Sequence, residues 1–326
     1  MASIGFAVGL GNIWRFPYVT GENGGSAFVV VYLFMAFGIG VPILMAELLI
    51  GRRGRMTPPG SMRTVALEGN HSAHWGLVGV MNILAAFLVM VTYCVVAGWV
   101  LNYLFEAIMT GFAGIDGAGA SKAFDDTLGN IGNMLFWALL SLVLTGSIIY
   151  AGLQDGIERA VVILMPGLFC LMFVLVIYNV FVGGFPEAID YLFSPDFSKI
   201  TPTVILAALG QAFFSIGVAL AGMMTFSAYL PSNVSISKSV VLIVIADTLV
   251  ALLAGLVIFP AVFNNGLDPA GGPGLIFKTL PVAFAQMPGG HIVSVVFFLS
   301  LSQANSVLIR PTNSMLKFCR TVFRPV

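Results

Sequence analysis

The sequence predicts an all-α polytopic membrane protein, and three observations carry that prediction. Hydrophobic residues make up 59% of the 326 residues and charged residues only 9%, with a mean hydropathy of +1.01. That composition excludes an ordinary soluble domain. The apolar runs are continuous and long enough to span a bilayer as helices, without the alternating polarity of a membrane β-barrel. Two of the runs are also broken internally by glycine and polar residues. The net charge of zero argues against nucleic acid as a partner. Cys94, Cys170 and Cys319 lie in or beside apolar segments without pairing or metal-ligand spacing, and read as small apolar residues.

Segment one runs to about Tyr18 and contains Gly5, Gly9, Gly11, Asn12, Arg15 and Pro17. A helix in lipid must satisfy its backbone internally, so glycines this dense weaken it where water cannot substitute. Freed carbonyls at Gly5, Ala7 and Val8 would be hard oxygen donors for a small cation such as Na⁺. Freed N–H groups at Leu10 and Gly11 would open the next half-helix, whose positive end suits a carboxylate. Glycines alone would favour a helix-packing face. Asn12 and Arg15 tip the balance towards function, because intramembrane polar side chains are costly.

Segment two, about Ala27 to Ile50, carries Pro42 and Glu47 and ends in Gly51-Arg52-Arg53-Gly54-Arg55. Segment three, about Trp75 to Met109, carries Tyr93, Trp99 and Glu106, and a polar loop follows. Segments four (about Met134 to Leu153) and five (about Ala160 to Val182) are joined by a short turn at Gln154–Arg159, and an acidic loop follows segment five. Segment six, about Pro202 to Tyr229, is predicted to break at Ser215-Ile216-Gly217. Segment seven spans about Lys238 to Phe263. The Gly/Pro-rich stretch from Asn264 to Gly290 contains an amphipathic run, Leu275 to Gln286, expected to cover an entrance and not to span. Segment eight starts near His291 and fades into Arg310, Lys317, Arg320 and Arg324.

Loops after the even segments hold Arg52, Arg53, Arg55, Arg63, Arg159 and Lys238. Those after segments three, five and seven hold only Lys122, Lys199 and Lys278 among more acids. The even loops and the N-terminus are therefore expected in the cytoplasm. His71, His74 and His291 fall in loops or at a membrane edge and read as solvated surface. Trp14 and Trp99 suit helix packing at least as well as a pocket wall.

Segments one and six are both interrupted and lie five segments apart, at equivalent positions of two inverted halves. Such a pair marks the binding site of many secondary transporters. The residues themselves go further. Gly9-Leu10-Gly11-Asn12-Ile13-Trp14-Arg15-Phe16-Pro17-Tyr18, followed by Glu22-Asn23-Gly24-Gly25, resembles the signature of the neurotransmitter:sodium symporter family. Gly210-Gln211-Ala212-Phe213-Phe214-Ser215 resembles that family's sixth helix, and Gly51-Arg52, Gly156–Arg159 and Gly289-Gly290 follow in order.

The resemblance implies a leucine-transporter fold, with repeats at 1–183 (segments one to five) and 184–310 (segments six to eight, cap 264–290). It implies Na⁺-coupled symport of an amino acid by alternating access, and no enzyme activity. It implies a multi-pass plasma-membrane protein, a bacterial inner membrane protein by preference, surrounded by lipid and open to homodimer formation. A first sodium site would use Ala7, Asn12, Ser215 and Asp247; a second would use Gly5, Val8 and Ser306. Substrate would meet Ala7, Leu10, Gly11, Tyr93, Phe214, Ser215, Gly217 and Leu220, with Arg15, Tyr93 and Phe214 as gate. Gly217 and Leu220 suggest room for a hydrophobic or aromatic amino acid.

Asp247 is expensive in mid-segment unless it meets a cation or takes a proton. Chloride-dependent members of the resembled family carry neutral residues there, so a chloride-independent transporter is expected, against a protonated, structural Asp247 as the alternative. Glu47 is expected to bond unwound backbone of segment one or six, with Tyr32 and Gln211 in the same polar network. The chain departs from the family pattern by starting inside segment one and by carrying about eight segments. From Gln303 to Pro311 the pattern is lost, and the basic tail 311–326 reads as translation out of frame or a polybasic end. A truncated, non-transporting remnant is therefore the alternative function, and a channel or proton-coupled carrier of the same fold a weaker one.

Overall fold

The computed structural model describes residue 9 and residues 11–150 and 157–308, with side chains for 9, 11–147 and 166–302. Gly5, Ala7, Val8, Leu10, the Ser306 side chain, the turn 154–156 and the tail 311–326 lie outside that description. Every regular element among the described residues is helical.

A π-helical turn, Gly11–Arg15, leads into α1 (Phe16–Glu22). The α2 helix (Ser26–Gly54) widens to π geometry at Ala36–Gly40, just before Pro42, which has no N–H to give Gly38. Then come α3 (Pro58–Glu68) and the long α4 (Gly76–Thr110). The loops expected after segments three and five instead contain helices, α5 (Gly117–Gly129) and α8 (Phe185–Phe193). Each meets its spanning neighbour at a sharp bend: α5 turns 82° into α6 (Ile131–Tyr150), and α7 (Ile157–Val182) turns 115° into α8. Asp116 caps α5 by accepting the Gly119 N–H, a local signal that the prediction of a loop overlooked.

Segment six is split into α9 (Pro202–Ile216) and the six-residue α10 (Gly222–Ser227). The α11 helix (Ile236–Asn264) follows, then α12 (Leu275–Gln286), with the bounds the amphipathic run predicted, and α13 (Gly290–Leu308). Among the described residues, three stretches are long and apolar enough to cross a membrane unbroken: Ser26–Gly54, Ala73–Thr110 and Ile236–Asn264.

The α11 helix organises the packing. Its apolar residues point all round: two faces pack into cores, and a third leaves Val241, Leu242, Ile245 and Leu249 exposed. Val250, Ala254 and Val257 face one core, with α4, α7, α12 and α13; Val240, Val244 and Phe259 face the other, with α2, α8 and α9. Pro260 cannot donate to Leu256, and Asn179 of α7 fills the gap: its Nδ2 donates to Val257 O at 2.8 Å and Leu256 O at 3.4 Å.

The two ends of the molecule differ. At one, Trp14 Nε1 donates to Pro273 O at 2.7 Å, and α12 packs Phe277 and Phe284 under the cap. At the other, α2 closes on α10. A methyl on Gly51 would stand 2.0 Å from Ser227 Oγ and 2.1 Å from Met224 O.

Gly51→Ala is therefore expected to cost about 1–3 kcal/mol, read as a lower thermal midpoint of the detergent-solubilised protein. Gly146→Ala, whose methyl meets nothing within 4 Å, should leave the midpoint unchanged or raise it, since alanine favours helix. Equal midpoints for the two variants would contradict the close α2–α10 contact.

Candidate functional site

The site begins with the break in segment six. The sequence placed the break at Ser215-Ile216-Gly217; the structure corrects this, with Ser215 and Ile216 in the last turn of α9 and the break at 217–221. A hydroxyl side chain does not itself end a helix, whereas the left-handed Gly217 (φ 76°) does. The N–H groups of Gly217 and Val218 both return to Phe213 O at 3.0 Å. Ala219 (φ 61°) and Ala221 (φ 60°) are also left-handed, a costly conformation for residues with a Cβ. Glu47, buried on α2, holds the strained turn by accepting the Ala219 N–H at 2.8 Å on Oε1. Its Oε2 is buried without a partner.

One helical turn before the break, three segments bring oxygen-bearing side chains to one point. Asn12 stands in the π-helical turn of segment one, where the Gly9 N–H donates to its Oδ1 at 3.1 Å. Its Nδ2 donates to Asp247 Oδ1 at 2.7 Å, to Asp247 O at 2.8 Å and to Ser215 Oγ at 3.2 Å. Ser215 Oγ donates to the Asp247 carboxylate, with separations of 2.8 and 3.0 Å to its two oxygens, and Tyr32 OH approaches Oδ2 at 3.4 Å. Asp247 is fully buried, with neutral donors round it and, among the described residues, no cationic side chain bonded to it. A buried negative charge so placed calls for a cation. A half-turn of the Asn12 amide would add its Oδ1 to the oxygens of Ser215 and Asp247, a hard donor set suited to a small alkali ion. No cluster of three or more His, Cys, Asp or Glu that would suit a transition metal occurs among the described residues.

Beside this cluster, Tyr93 of α4 and Phe214 of α9 stack with ring centroids 5.6 Å apart and planes 9° from parallel. A Cβ on Gly11 would lie 3.3 Å from both Phe214 Cε1 and Tyr93 OH, so the glycine leaves the narrow space between backbone and aromatic pair. The Arg15 guanidinium lies 4.5 Å over the Phe214 ring, and its Nη1 donates to Gln211 Oε1 at 2.5 Å. Gln211 Nε2 donates to Gly11 O at 3.3 Å, tying α9 to the turn of segment one.

The structure thus brings together Gly11, Asn12, Arg15, Tyr93, Phe214, Ser215 and Asp247. Gly217 and the half-buried Leu220 lie in the break itself. The left-handed φ explains Gly217 without reference to pocket size. Trp14 and Trp99 serve packing: Trp14 reaches the cap, and Trp99 meets Phe124 and Phe277 edge-on. The histidines are exposed. Ala219 and Ala221 were missed, and nothing in their residue type marks them as left-handed.

The family model described as the Sodium:neurotransmitter symporter family matches residues 1–114 and 119–306. The chain is 38% identical over 300 residues to an uncharacterized sodium-dependent transporter, YhdH, of Bacillus subtilis, covering 92% of this chain and 66% of that protein. It is 35% identical over 337 residues to an uncharacterized sodium-dependent transporter of Haemophilus influenzae, covering 98% and 73%. The crystal structure of MhsT in complex with L-phenylalanine superposes with a TM-score of 0.92 at 40% identity, over 99% of this chain and 73% of that one.

The Glu47 contact makes a direct prediction. Glu47→Ala orphans the Ala219 N–H and should cost about 1–3 kcal/mol, whereas Glu47→Gln keeps an acceptor and should stay near wild type in a thermal melt. Equal losses for both variants would show that charge, not the backbone bond, is what matters there.

Proposed function

The chain belongs to the Sodium:neurotransmitter symporter family, and from that membership we propose that it takes part in Na⁺-coupled symport of a hydrophobic or aromatic amino acid across the plasma membrane. The single observation that carries the reading is the Asn12–Ser215–Asp247 cluster, where the buried carboxylate of segment seven meets a side-chain amide of segment one and a hydroxyl of segment six. Na⁺ bound there would neutralise Asp247 and draw the three segments together. A substrate carboxylate lying near the ion, with Tyr93 OH and the backbone at Gly11 on its other side, would attract it strongly in this dry setting. Each ligand then raises the affinity for the other by the same factor, which is the coupling symport requires.

Tyr93 and Phe214 would close over the substrate side chain, and Arg15, held by Gln211 and Phe214, would cover them. The phenylalanine bound in the MhsT structure supports an aromatic or hydrophobic substrate for this relative. A second sodium site at the Gly5 and Val8 carbonyls with Ser306 completes the scheme, as do inverted repeats at 1–183 and 184–310 and a cytoplasmic N-terminus. Asp247 supplies a fixed negative charge beside the ion, so transport is chloride-independent.

Labelled phenylalanine should bind the purified chain with an affinity that rises with Na⁺ and does not respond to Cl⁻. Binding insensitive to Na⁺ would overturn the proposal. Leucine and tyrosine should compete; competition confined to glycine and alanine would rule out the hydrophobic pocket. Asp247→Asn should weaken Na⁺ affinity at least about tenfold, a fraction of the ~4 kcal/mol that unit charges 4 Å apart exchange at an effective dielectric of about 20. Unchanged Na⁺ affinity in that variant would remove Asp247 from the ion site.

A further inference from the structure

The end of the molecule opposite the cap carries a second cleft, unconnected with the cation cluster. Here the last turn of α2 meets the loop leading into α11. A cleft of about 380 Å³ is lined by Arg52, Ser232, Asn233, Ser235 and Ser237 on its polar side, with Met45 and Leu49 below. Arg52 also borders a second cavity of about 410 Å³, whose other walls are Leu49, Ile50, Arg53 and Val65. One guanidinium therefore stands at the junction of a polar cleft and an apolar one.

The charge here is unbalanced. Arg52 spends one N–H on Val234 O, at 2.8 Å. Arg53 is paired with Glu68, but among the described residues none of Arg52, Arg55, Arg63 or Lys238 meets a carboxylate. The polar cleft also faces the start of the 29-residue α11, where Ser235 caps the Lys238 N–H and the first N–H groups of the helix have no intrahelical partner. Trp75 (54% exposed) and Tyr229 (76% exposed) flank this end, as aromatic side chains do at the level of lipid headgroups. Leu49 (47% exposed) continues the apolar wall out to the lipid-facing surface of α2.

We propose that this junction binds an anionic phospholipid, its phosphate on Arg52 and the α11 N-terminus and an acyl chain along Leu49, Ile50 and Val65. The complementarity is twofold. A phosphodiester answers the uncompensated cations, and the adjoining apolar cavity accepts what a soluble anion lacks. A zwitterionic lipid would fill the apolar cavity but return a positive group to a basic surface.

Native mass spectrometry of the chain, released from bilayers of equal phosphatidylglycerol and phosphatidylcholine, tests this. Wild type should retain phosphatidylglycerol over phosphatidylcholine. Arg52→Gln should lower that ratio at least about fivefold, the effect of one cation at a lipid surface. Lys238→Gln, exposed in the first turn of α11 next to the cleft-lining Ser237, should lower it similarly and covers the case in which Arg52→Gln fails to fold. Arg63→Gln, which lines neither cavity and lies on α3, not at the α11 N-terminus, should leave it unchanged. Equal retention of both lipids, or equal losses in all three variants, would overturn the site. Displacement of the lipid by millimolar inorganic phosphate would make it a free-anion site and defeat the lipid assignment.

Discussion

One buried carboxylate constrains this structure more than any other group. Asp247 sits at mid-length in α11, on the side of the helix wedged between two cores, where a bare charge is costly. Its hydrogen bonds come from an amide, a hydroxyl and a phenol, which lower the cost without cancelling the charge. Only a cation or a proton completes it. Because its donors sit on segments one, two and six, whatever neutralises Asp247 also fixes how those segments meet. The same residue is thus a structural debt when alone and a joint when occupied.

The breaks in segments one and six make that arrangement feasible. An unbroken helix buries its carbonyls and N–H groups in its own hydrogen bonds and offers a ligand only side chains. In segment six the ladder stops at Gly217, and the left-handed residues that follow are held by Glu47 from a different helix. Segment one bends through a π-helical turn whose Gly11 carbonyl is taken by Gln211. Both irregular stretches are pinned by side chains from rigid neighbours. Backbone strain at membrane depth persists where the surroundings over-determine it. The Asn179 bond at the Pro260 gap applies the same rule outside the site.

Much of this was legible in the sequence because the bilayer penalises exceptions. Asn12, Arg15, Glu47 and Asp247 stand out in apolar runs, and each is at the cluster, the aromatic pair or the segment-six break. Their mutual contacts were not legible: Asn12 and Asp247 are 235 residues apart, and only the fold brings them to 2.7 Å. The exact break was also hidden. Glycine at 217 is a local signal, but Ala219 and Ala221 adopt left-handed backbone only because Glu47 and the flanking half-helices compel it. Helices α5 and α8 were read as loops because polar and acidic residues masked short amphipathic faces that bury Phe124 and Leu192.

The aromatic pair leaves little free space over segment one. Gly217 is required by its backbone, so its lack of a side chain says nothing about the size of a ligand. Gly11 is different: it lies in a right-handed helical turn where alanine is sterically permitted by the backbone, yet a methyl would press on Phe214 and Tyr93 at 3.3 Å. Its absence preserves room between the half-helix and the rings. Phe214 cannot retreat freely, since Arg15 lies on its face and is itself held by Gln211. Any displacement of the ring must therefore disturb the arginine as well. Arg15, Phe214 and Tyr93 thus pack as one stack, and the missing side chain of Gly11 sets how close that stack lies to segment one.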